Sequence, residues 1–179
     1  MTRYVALLRG INVGGNKKVP MAQLRALLER LGFSDVATLI ASGNVVFSGK
    51  ARAPAQLERQ LEAAIAEEFG FEVPLVVRTR DELAAAIEAN PLPGAEEAPT
   101  RFLVFFLSGT PDRKRLAEID AEAHLPDEFR LHGRELYARF PNGIGRSKLA
   151  VVLGSARLGV TSTARNWSTL TKLLELADR

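Results

Sequence analysis

The fold is decided close to the start of the chain, where residues 4–10 are Tyr-Val-Ala-Leu-Leu-Arg-Gly. A short, continuous apolar run that ends at a glycine is typical of a central strand buried on both faces. A loop with three glycines follows as far as Lys18, and Pro20 then suits the first turn of a helix. That helix has an apolar stripe at helical spacing and a glycine placed to end it, formed by Leu24, Leu27, Leu28, Leu31 and Gly32.

Working outward, residues 36–40 and 45–47 are predicted to be strands that turn at Ser42-Gly43-Asn44. Residues 54–70 predict a second amphipathic helix, with a proline at its start and a glycine at its end. Residues 73–78 predict a further strand. The order strand-helix-strand-strand-helix-strand is the ferredoxin-like arrangement, a four-stranded antiparallel sheet with both helices on one face.

This topology has a consequence for function. The first and second strands run in the same direction, so the end of the first strand and the turn between the second and third lie at one edge of the sheet. The glycine-rich loop of residues 10–19 and the turn of residues 42–44 are therefore predicted to be spatial neighbours.

The second half of the chain is less regular. Residues 81–89 predict a short helix, and the Pro- and Gly-rich stretch after it is the predicted linker. Beyond it we predict a strand, a helix, a hairpin turning at residues 132–134 and two final helices, at residues 101–107, 111–123, 128–131 with 135–140, 147–155 and 163–177. The prediction is an α+β protein with a ferredoxin-like subdomain at 1–80, a helix and linker at 81–100, and a smaller α+β subdomain at 101–179. The second half echoes the first only loosely.

Composition excludes several classes of protein. The 179 residues include 24 Lys and Arg, 21 Asp and Glu, and no Cys, so disulfides, thiolate nucleophiles and Cys-ligated metal centres are ruled out. No apolar run is long enough to span a membrane, and no signal region precedes the first strand. We therefore expect a cytoplasmic protein without a membrane partner. His124 and His132 do not have metal-ligand spacing, and neither a metal nor a cofactor is predicted.

Charge is distributed unevenly along the chain, although the net charge is only +3. Residues 1–80 carry 11 basic and 7 acidic side chains, residues 81–129 carry 4 and 11, and residues 130–179 carry 9 and 3. The chain thus has two basic ends around an acidic middle, and each basic end contains a glycine-rich loop. This pattern points to the two basic ends as the location of a binding site, without identifying its ligand.

The first candidate site is the glycine-rich loop, in which Arg9, Asn12, Gly14, Gly15, Lys17 and Lys18 combine backbone amides with positive charge. A glycine-rich turn between a strand and a helix can direct N–H groups at an anion. The loop lacks the Gly-Lys-Ser/Thr ending of a P-loop and the spacing of a dinucleotide fingerprint. The alternative is a tight turn with solvated lysines.

Two further segments contribute candidates. Ser42 and Asn44 flank a glycine in the turn predicted to lie beside the loop, although such a tripeptide on its own is usually turn chemistry. In the second half, a Gly-Ile-Gly stretch precedes Ser147, a predicted helix cap, and Trp167 lies on a core-facing helical stripe. The predicted surface candidates of this half are Arg146, Lys148, Arg165 and Asn166.

Three functional hypotheses follow. The leading one is binding of a phosphate-bearing ligand, a nucleotide or nucleic acid, at the loop of residues 10–18 and the turn of residues 42–44. In this hypothesis Arg146, Lys148 and Arg165 close the site from the other subdomain. The first alternative is an enzyme acting on a phosphorylated small molecule at a cleft between the subdomains, for which no catalytic residue can be nominated. The second is a structural or interaction module without a ligand. RNA binding by stacking on sheet aromatics is disfavoured, because the central strands offer only Tyr4 and Phe47. The sequence predicts no oligomeric state.

Several motifs resemble a bacterial family of unknown function, DUF1697. The segments that carry the resemblance are residues 6–15 (Ala-Leu-Leu-Arg-Gly-Ile-Asn-Val-Gly-Gly), 19–21, 42–47, Asn90-Pro91, 147–149 and 163–167. The family usually has a second asparagine after the tryptophan, where this chain has Ser168. The resemblance implies a two-subdomain α+β protein whose first part is ferredoxin-like. It implies no established activity.

Overall fold

The computed structural model describes residues 1–155 and 158–179. The chain has an α+β fold that divides into two compact units. Unit 1 comprises Met1–Ala85 together with Lys172–Arg179, and unit 2 comprises Ala86–Thr171. Within the described ranges, no helix combines the length and the apolarity needed to cross a membrane.

Unit 1 contains four strands and two complete helices in the predicted order. Their bounds are β1 Thr2–Leu8, α1 Met21–Arg30, β2 Ser34–Leu39, β3 Asn44–Gly49, α2 Pro54–Phe69 and β4 Leu75–Thr79, after which α3 covers Arg80–Glu88. The sheet order is β2-β3-β1-β4, and the neighbouring strands are antiparallel. This is the ferredoxin-like topology predicted from the sequence.

Both helices of unit 1 pack on the same face of the sheet. Tyr4, Ala6 and Leu8 of β1 point to that face and join one buried cluster with the apolar stripes of α1 and α2, which include Leu24, Leu28, Leu57 and Leu61. The intervening residues Val5 and Leu7 are buried as well. The uninterrupted apolar run of β1 is thus explained by a strand with both of its faces buried.

The ends of these helices match the local sequence signals. Gly32 follows α1 with a φ of +90°, where the N–H of Gly32 donates to the Glu29 carbonyl and the N–H of Phe33 donates to the Leu28 carbonyl. Gly70 ends α2 in the left-handed conformation, with a φ of +81°. Glycine adopts this conformation with little steric cost and so is well suited to stop a helix here.

Unit 2 repeats the topology of unit 1. Its elements are 3-10 helices at Pro99–Arg101 and Glu122–His124, β5 Phe102–Leu107, α4 Arg113–Ala117, β6 Glu128–His132, β7 Glu135–Arg139, α5 Lys148–Ser155 and β8 Ser162–Asn166. The last helix, α6, covers Trp167–Ala177, and its residues up to Thr171 belong to unit 2. The sheet order is β6-β7-β5-β8, again antiparallel throughout. The loose echo in the sequence is therefore a second strand-helix-strand-strand-helix-strand arrangement.

Matching hydrogen bonds support this equivalence. The N–H of Leu8 donates to the Gly43 carbonyl at 2.8 Å, and the N–H of Leu107 donates to the Arg134 carbonyl at 2.9 Å. Each bond ties the end of a central strand to the hairpin turn beside it. One residue further on, Arg9 donates to the Pro74 carbonyl and Ser108 to the Thr161 carbonyl, both at 2.9 Å.

Two predicted helices of the second half are wrong in extent. The predicted helix over residues 163–177 begins as strand β8, because residues 162–166 pair with β5, and the helix starts only at Trp167. The predicted helix over residues 111–123 is interrupted after Ala117. There the Asp120 carboxylate accepts from the N–H groups of Glu122 and Ala123, so that a side chain competes with the helical pattern.

Candidate functional site

The glycine-rich loop of unit 1 is a miniature hairpin. The N–H of Asn16 donates to the Val13 carbonyl and the N–H of Asn12 donates to the Lys17 carbonyl, both at 3.1 Å. Gly14 and Gly15 form its tip, with φ values of +60° and +77°. Two successive left-handed residues characterise the turn that joins tightly paired strands, and glycine provides them with little steric cost.

The side chain of Asn12 fixes this loop in place. Its Oδ1 accepts from the N–H of Val19 at 2.8 Å, and its Nδ2 donates to the carbonyls of Val19 at 3.0 Å and of Ala41 at 2.7 Å. The first two bonds close the base of the loop, and the third reaches the turn between β2 and β3. The loop and the turn are therefore neighbours, as the topology predicted.

The turn itself fits closely against β1. Gly43 has a φ of +94°, and a Cβ placed there would lie 2.7 Å from the Leu8 Cβ and 2.9 Å from the Ile11 Cδ1. Only a residue without a side chain fits. The buried Asn44 donates from its Nδ2 to the Leu39 carbonyl at 2.9 Å and to the Ser42 Oγ at 3.2 Å. The amides of Asn12 and Asn44 thus hold the backbone of the site in shape.

The surface of this region combines cationic and apolar side chains. Arg9, Lys17, Lys18 and Ser42 are exposed, and the Lys17 Nζ donates to the Glu72 carbonyl at 2.7 Å. Val13 is 66% exposed and Ile40 is 57% exposed. We call the exposed set Arg9, Val13, Gly14, Gly15, Lys17, Lys18, Ile40 and Ser42 the loop-turn surface.

Backbone strain is concentrated in the same two segments. Asn12, Lys17 and Ile40 have φ values of +55°, +47° and +50°. Left-handed conformations are uncommon for residues other than glycine, and a β-branched residue such as Ile40 is a genuine outlier. Asp35 of β2 is the other non-glycine residue with a positive φ in the described part of the chain.

The candidates from the second half lie in unit 2 and do not form one exposed group. Arg146 and Lys148 are exposed on either side of Ser147, whose Oγ donates to the Asp127 Oδ2 at 2.6 Å and accepts from the N–H of Ala150, so that it caps α5. The Asn166 Oδ1 accepts from the N–H of Thr169 and caps α6.

Arg165 is not the surface residue that the predicted helix suggested. It lies in β8, is only 9% exposed, and donates to the Thr163 Oγ1 and the Ala164 carbonyl. Burial lowers the pKa of its guanidinium to about 10, and at neutral pH it therefore remains charged. The strand assignment accounts for the correction, because residues 163 and 165 share a buried face of the sheet.

A second buried arginine was not predicted from the sequence. Arg78 of β4 is 1% exposed and donates to the carbonyl of Val77. It faces Val5 of β1 in the sheet register, as Arg165 faces Val104 of β5. Each arginine stands one residue before the cap of the following helix, since Thr79 caps α3 as Asn166 caps α6. The shared signal in the sequence is Arg-Thr before one helix and Arg-Asn before the other.

The described residues do not form two other types of site. Tyr4 and Phe47 stack on each other, with ring centroids 5.5 Å apart, inside the buried cluster of unit 1. They therefore cannot form an exposed platform for bases. Within residues 1–155 and 158–179, no group of three or more His, Asp or Glu side chains could hold a metal ion.

The fold and the site define an α+β protein of two ferredoxin-like units with a strained, cationic loop at the end of its first strand. A family model described as "Protein of unknown function (DUF1697)" matches residues 1–137, and the chain belongs to this family. It is also similar to the solved structure of conserved bacterial protein SP0830 from Streptococcus pneumoniae, with 26% identity, 98% of each chain covered and a TM-score of 0.77. No curated protein matches the chain.

Proposed function

We propose that the protein binds a phosphate-bearing ligand, a nucleotide or a nucleic acid, at the loop-turn surface. The observation that carries the proposal is the concentration of left-handed, non-glycine residues in the loop and the turn that form this surface: Asn12, Lys17 and Ile40. Each such residue costs about 1–3 kcal/mol, and strain of this kind clusters at ligand-binding and active sites. The strain accompanies exposed positive charge, which is the complement of a phosphate.

The topology of the fold does not require this strain. Unit 2 connects its first strand to its first helix through residues 108–112, whereas unit 1 uses residues 9–20. In the described part of unit 2, the residues with positive φ are all glycines, namely Gly94, Gly133, Gly143 and Gly159. Because the same sheet forms without a long loop or strained side chains, a role in binding is a better explanation than a role in folding.

The chemistry of the surface suits a phosphate attached to an apolar group. Arg9 and Lys18 would neutralise phosphate oxygens, and Lys17 would add a donor beyond the one that it gives to Glu72. The amides of Gly14 and Gly15, at the tip of the loop, have no hydrogen-bond partner among the described residues and would add neutral donors. Val13 and Ile40 would cover the face of a base. In this proposal, Asn12 and Asn44 hold the surface, and Ser42 orients the ligand.

The proposal is tested by charge reversal at matched positions. Binding of labelled single-stranded RNA, ATP and tripolyphosphate would be measured by fluorescence anisotropy or by competition, at low salt and along a salt titration. Lys18→Glu should weaken binding roughly tenfold and reduce the slope of log K against log salt by about one, since one phosphate contact is lost. Lys50→Glu makes the same charge change at the opposite end of β3 and should change the affinity less than about twofold.

A structural device without a ligand is the second candidate function. It is favoured by one observation, namely that the loop is ordered by its own hydrogen bonds through Asn12. If Lys18→Glu and Lys50→Glu weaken binding equally, or if none of the three probes binds at low salt, the loop is such a device and the binding proposal is wrong. Preference for RNA or ATP over tripolyphosphate would support contact between a base and Val13 or Ile40.

A further inference from the structure

Unit 2 contains a small cavity at the end of its sheet where β5 begins and β7 ends. One wall is formed by the segment before β5, through Gly94, Glu97, Ala98 and Arg101, and the other by Arg139, Phe140 and Pro141. Its volume of about 180 Å³ has room for roughly six water-sized groups. None of the residues proposed for the loop-turn surface belongs to this cavity, so the inference below stands independently of the proposed function.

The walls of the cavity are tied to each other by hydrogen bonds. The N–H of Phe140 donates to the Arg101 carbonyl, and the Arg101 guanidinium donates to the Pro141 carbonyl, both at 2.9 Å. Within the first wall, the N–H of Ala98 donates to the Gly94 carbonyl at 3.1 Å. Because hydrogen bonds fix its walls, the cavity is preformed, which lowers the entropic cost of binding a ligand.

The cavity is lined by a cationic side chain, that of Arg139, which is 32% exposed. The Nε of Arg139 is buried and has no hydrogen-bond partner in the described chain. The Glu128 Oε1 lies 3.9 Å from the Arg139 Nη2, which is within ion-pair range but beyond hydrogen-bonding distance. The Arg139 Nη1 lies beside Gly94 of the cavity wall, 3.6 Å from where a Cβ of that residue would stand. Arg101 brings a second guanidinium to the same cavity.

We propose that this cavity binds a small carboxylate with a short apolar body. A guanidinium presents parallel N–H groups that match the two oxygens of a planar carboxylate. Ala98, Phe140 and Pro141 provide apolar wall that suits a hydrocarbon group and penalises the burial of a dianion such as phosphate. Glu97, exposed at the rim, repels anions and limits the affinity.

The test uses the full chain labelled with ¹⁵N, because the arginine Nε–H groups give NMR signals of their own. Benzoate, butyrate and inorganic phosphate would each be titrated to millimolar concentration. We expect benzoate or butyrate to shift the Arg139 Nε–H signal to saturation and phosphate to leave it unchanged. A phosphate-induced shift without a benzoate or butyrate shift, or no saturable shift with any probe, would overturn the proposal.

Variants with opposite expected effects provide the controls. Arg139→Lys and Arg101→Gln should each weaken carboxylate binding roughly tenfold or more, because a charged hydrogen bond is lost. Glu97→Gln should strengthen it roughly two- to fivefold, as expected for removal of an exposed like charge. Arg130→Gln removes an exposed guanidinium of β6 outside the cavity and should have no effect. If Arg139→Lys fails to fold, Arg101→Gln and Glu97→Gln still test the proposal, because they should change the carboxylate affinity in opposite directions. Equal affinities in these two variants would contradict the proposal.

Discussion

Units 1 and 2 build the same sheet, yet they differ at the end of their first strand. In both units, a hydrogen bond joins the last residue of that strand to the neighbouring hairpin turn, from Leu8 to Gly43 and from Leu107 to Arg134. Unit 1 then inserts a glycine hairpin fixed by an asparagine side chain, whereas unit 2 proceeds directly to Asp112, which caps the next helix. The hydrogen bond that both units share belongs to the fold. The glycine hairpin that unit 1 adds needs another explanation.

The turns beside the two first strands illustrate the same division. The turn of unit 2 has open space around Gly133, where a Cβ would have Glu135 Oε2 as its nearest neighbour at 3.7 Å. The turn of unit 1 touches β1 at Gly43 and is also bonded to Asn12. Close packing and a hydrogen bond therefore fix the turn of unit 1, whereas the turn of unit 2 has open space around its glycine.

The largest expected effect comes from adding a methyl group to each turn. Gly43→Ala should destabilise unit 1 by roughly 3 kcal/mol, because the Cβ overlaps Leu8 and the left-handed backbone adds strain. Gly133→Ala should cost about 1 kcal/mol in unit 2, from backbone strain alone. Urea unfolding with hydrogen exchange resolved to β1 and β5 would measure both losses. Equal losses would mean that the two turns are packed alike.

The second prediction removes the side chain that holds each connection. Asn12→Ala should cost roughly 2–3 kcal/mol, since its three hydrogen bonds are lost, whereas Asp112→Ala should cost about 1 kcal/mol as the loss of one helix cap. Asn12→Asp keeps the acceptor for the Val19 N–H but turns a carboxylate oxygen toward the Val19 and Ala41 carbonyls, so it should be no more stable than Asn12→Ala. Thermal and urea unfolding would give the values. If Asn12→Ala costs no more than Asp112→Ala, the asparagine does not hold the loop.

The smallest expected effect concerns an ion pair within unit 1, between Arg80 and Asp178. The Arg80 Nε donates to the Asp178 Oδ1 at 2.6 Å, and this hydrogen bond lowers the pKa of Asp178 in the folded protein. The unfolded state then binds more protons as the carboxylate titrates, so the stabilisation is present above the unfolded pKa and is lost as pH falls through the lower folded pKa.

Asp178→Asn should therefore slightly reduce stability at neutral pH and flatten the stability profile in acid. The effect is small, because both side chains are partly exposed to solvent. Glu175→Gln, at an exposed position of α6 three residues before Asp178, is the control and should not show this flattening. Urea midpoints measured from neutral to acidic pH would distinguish the two variants, and parallel profiles would exclude a contribution from the ion pair.

Local signals made most of unit 1 predictable. The apolar run of β1 and the glycines that end α1 and α2 act through neighbouring residues, and those predictions are confirmed. Strand β8 was missed because its residues, Ser-Thr-Ala-Arg-Asn, have no apolar alternation, and pairing with β5 decides their conformation. The burial of Arg165 was missed for the same reason.

The candidate site was only partly predictable. Topology was sufficient to bring the loop and the turn together, since strand direction determines which ends of a sheet meet. Topology could not predict that the Asn12 side chain bonds to backbone groups of Val19 and Ala41, because these contacts depend on how the loop folds. The positive φ of Ile40 was also beyond prediction, since β-branched residues disfavour that conformation. Strain of this kind is imposed by the surrounding structure.

The assignment of the final segment, Lys172–Arg179, to unit 1 bears on how the chain is made. Arg3 donates to the Ala177 carbonyl and Arg80 pairs with Asp178, so unit 1 uses contacts from both of its segments. During synthesis, unit 2 leaves the ribosome before that final segment. The contacts of Arg3 and Arg80 with this segment can therefore form only after the residues of unit 2 have been made.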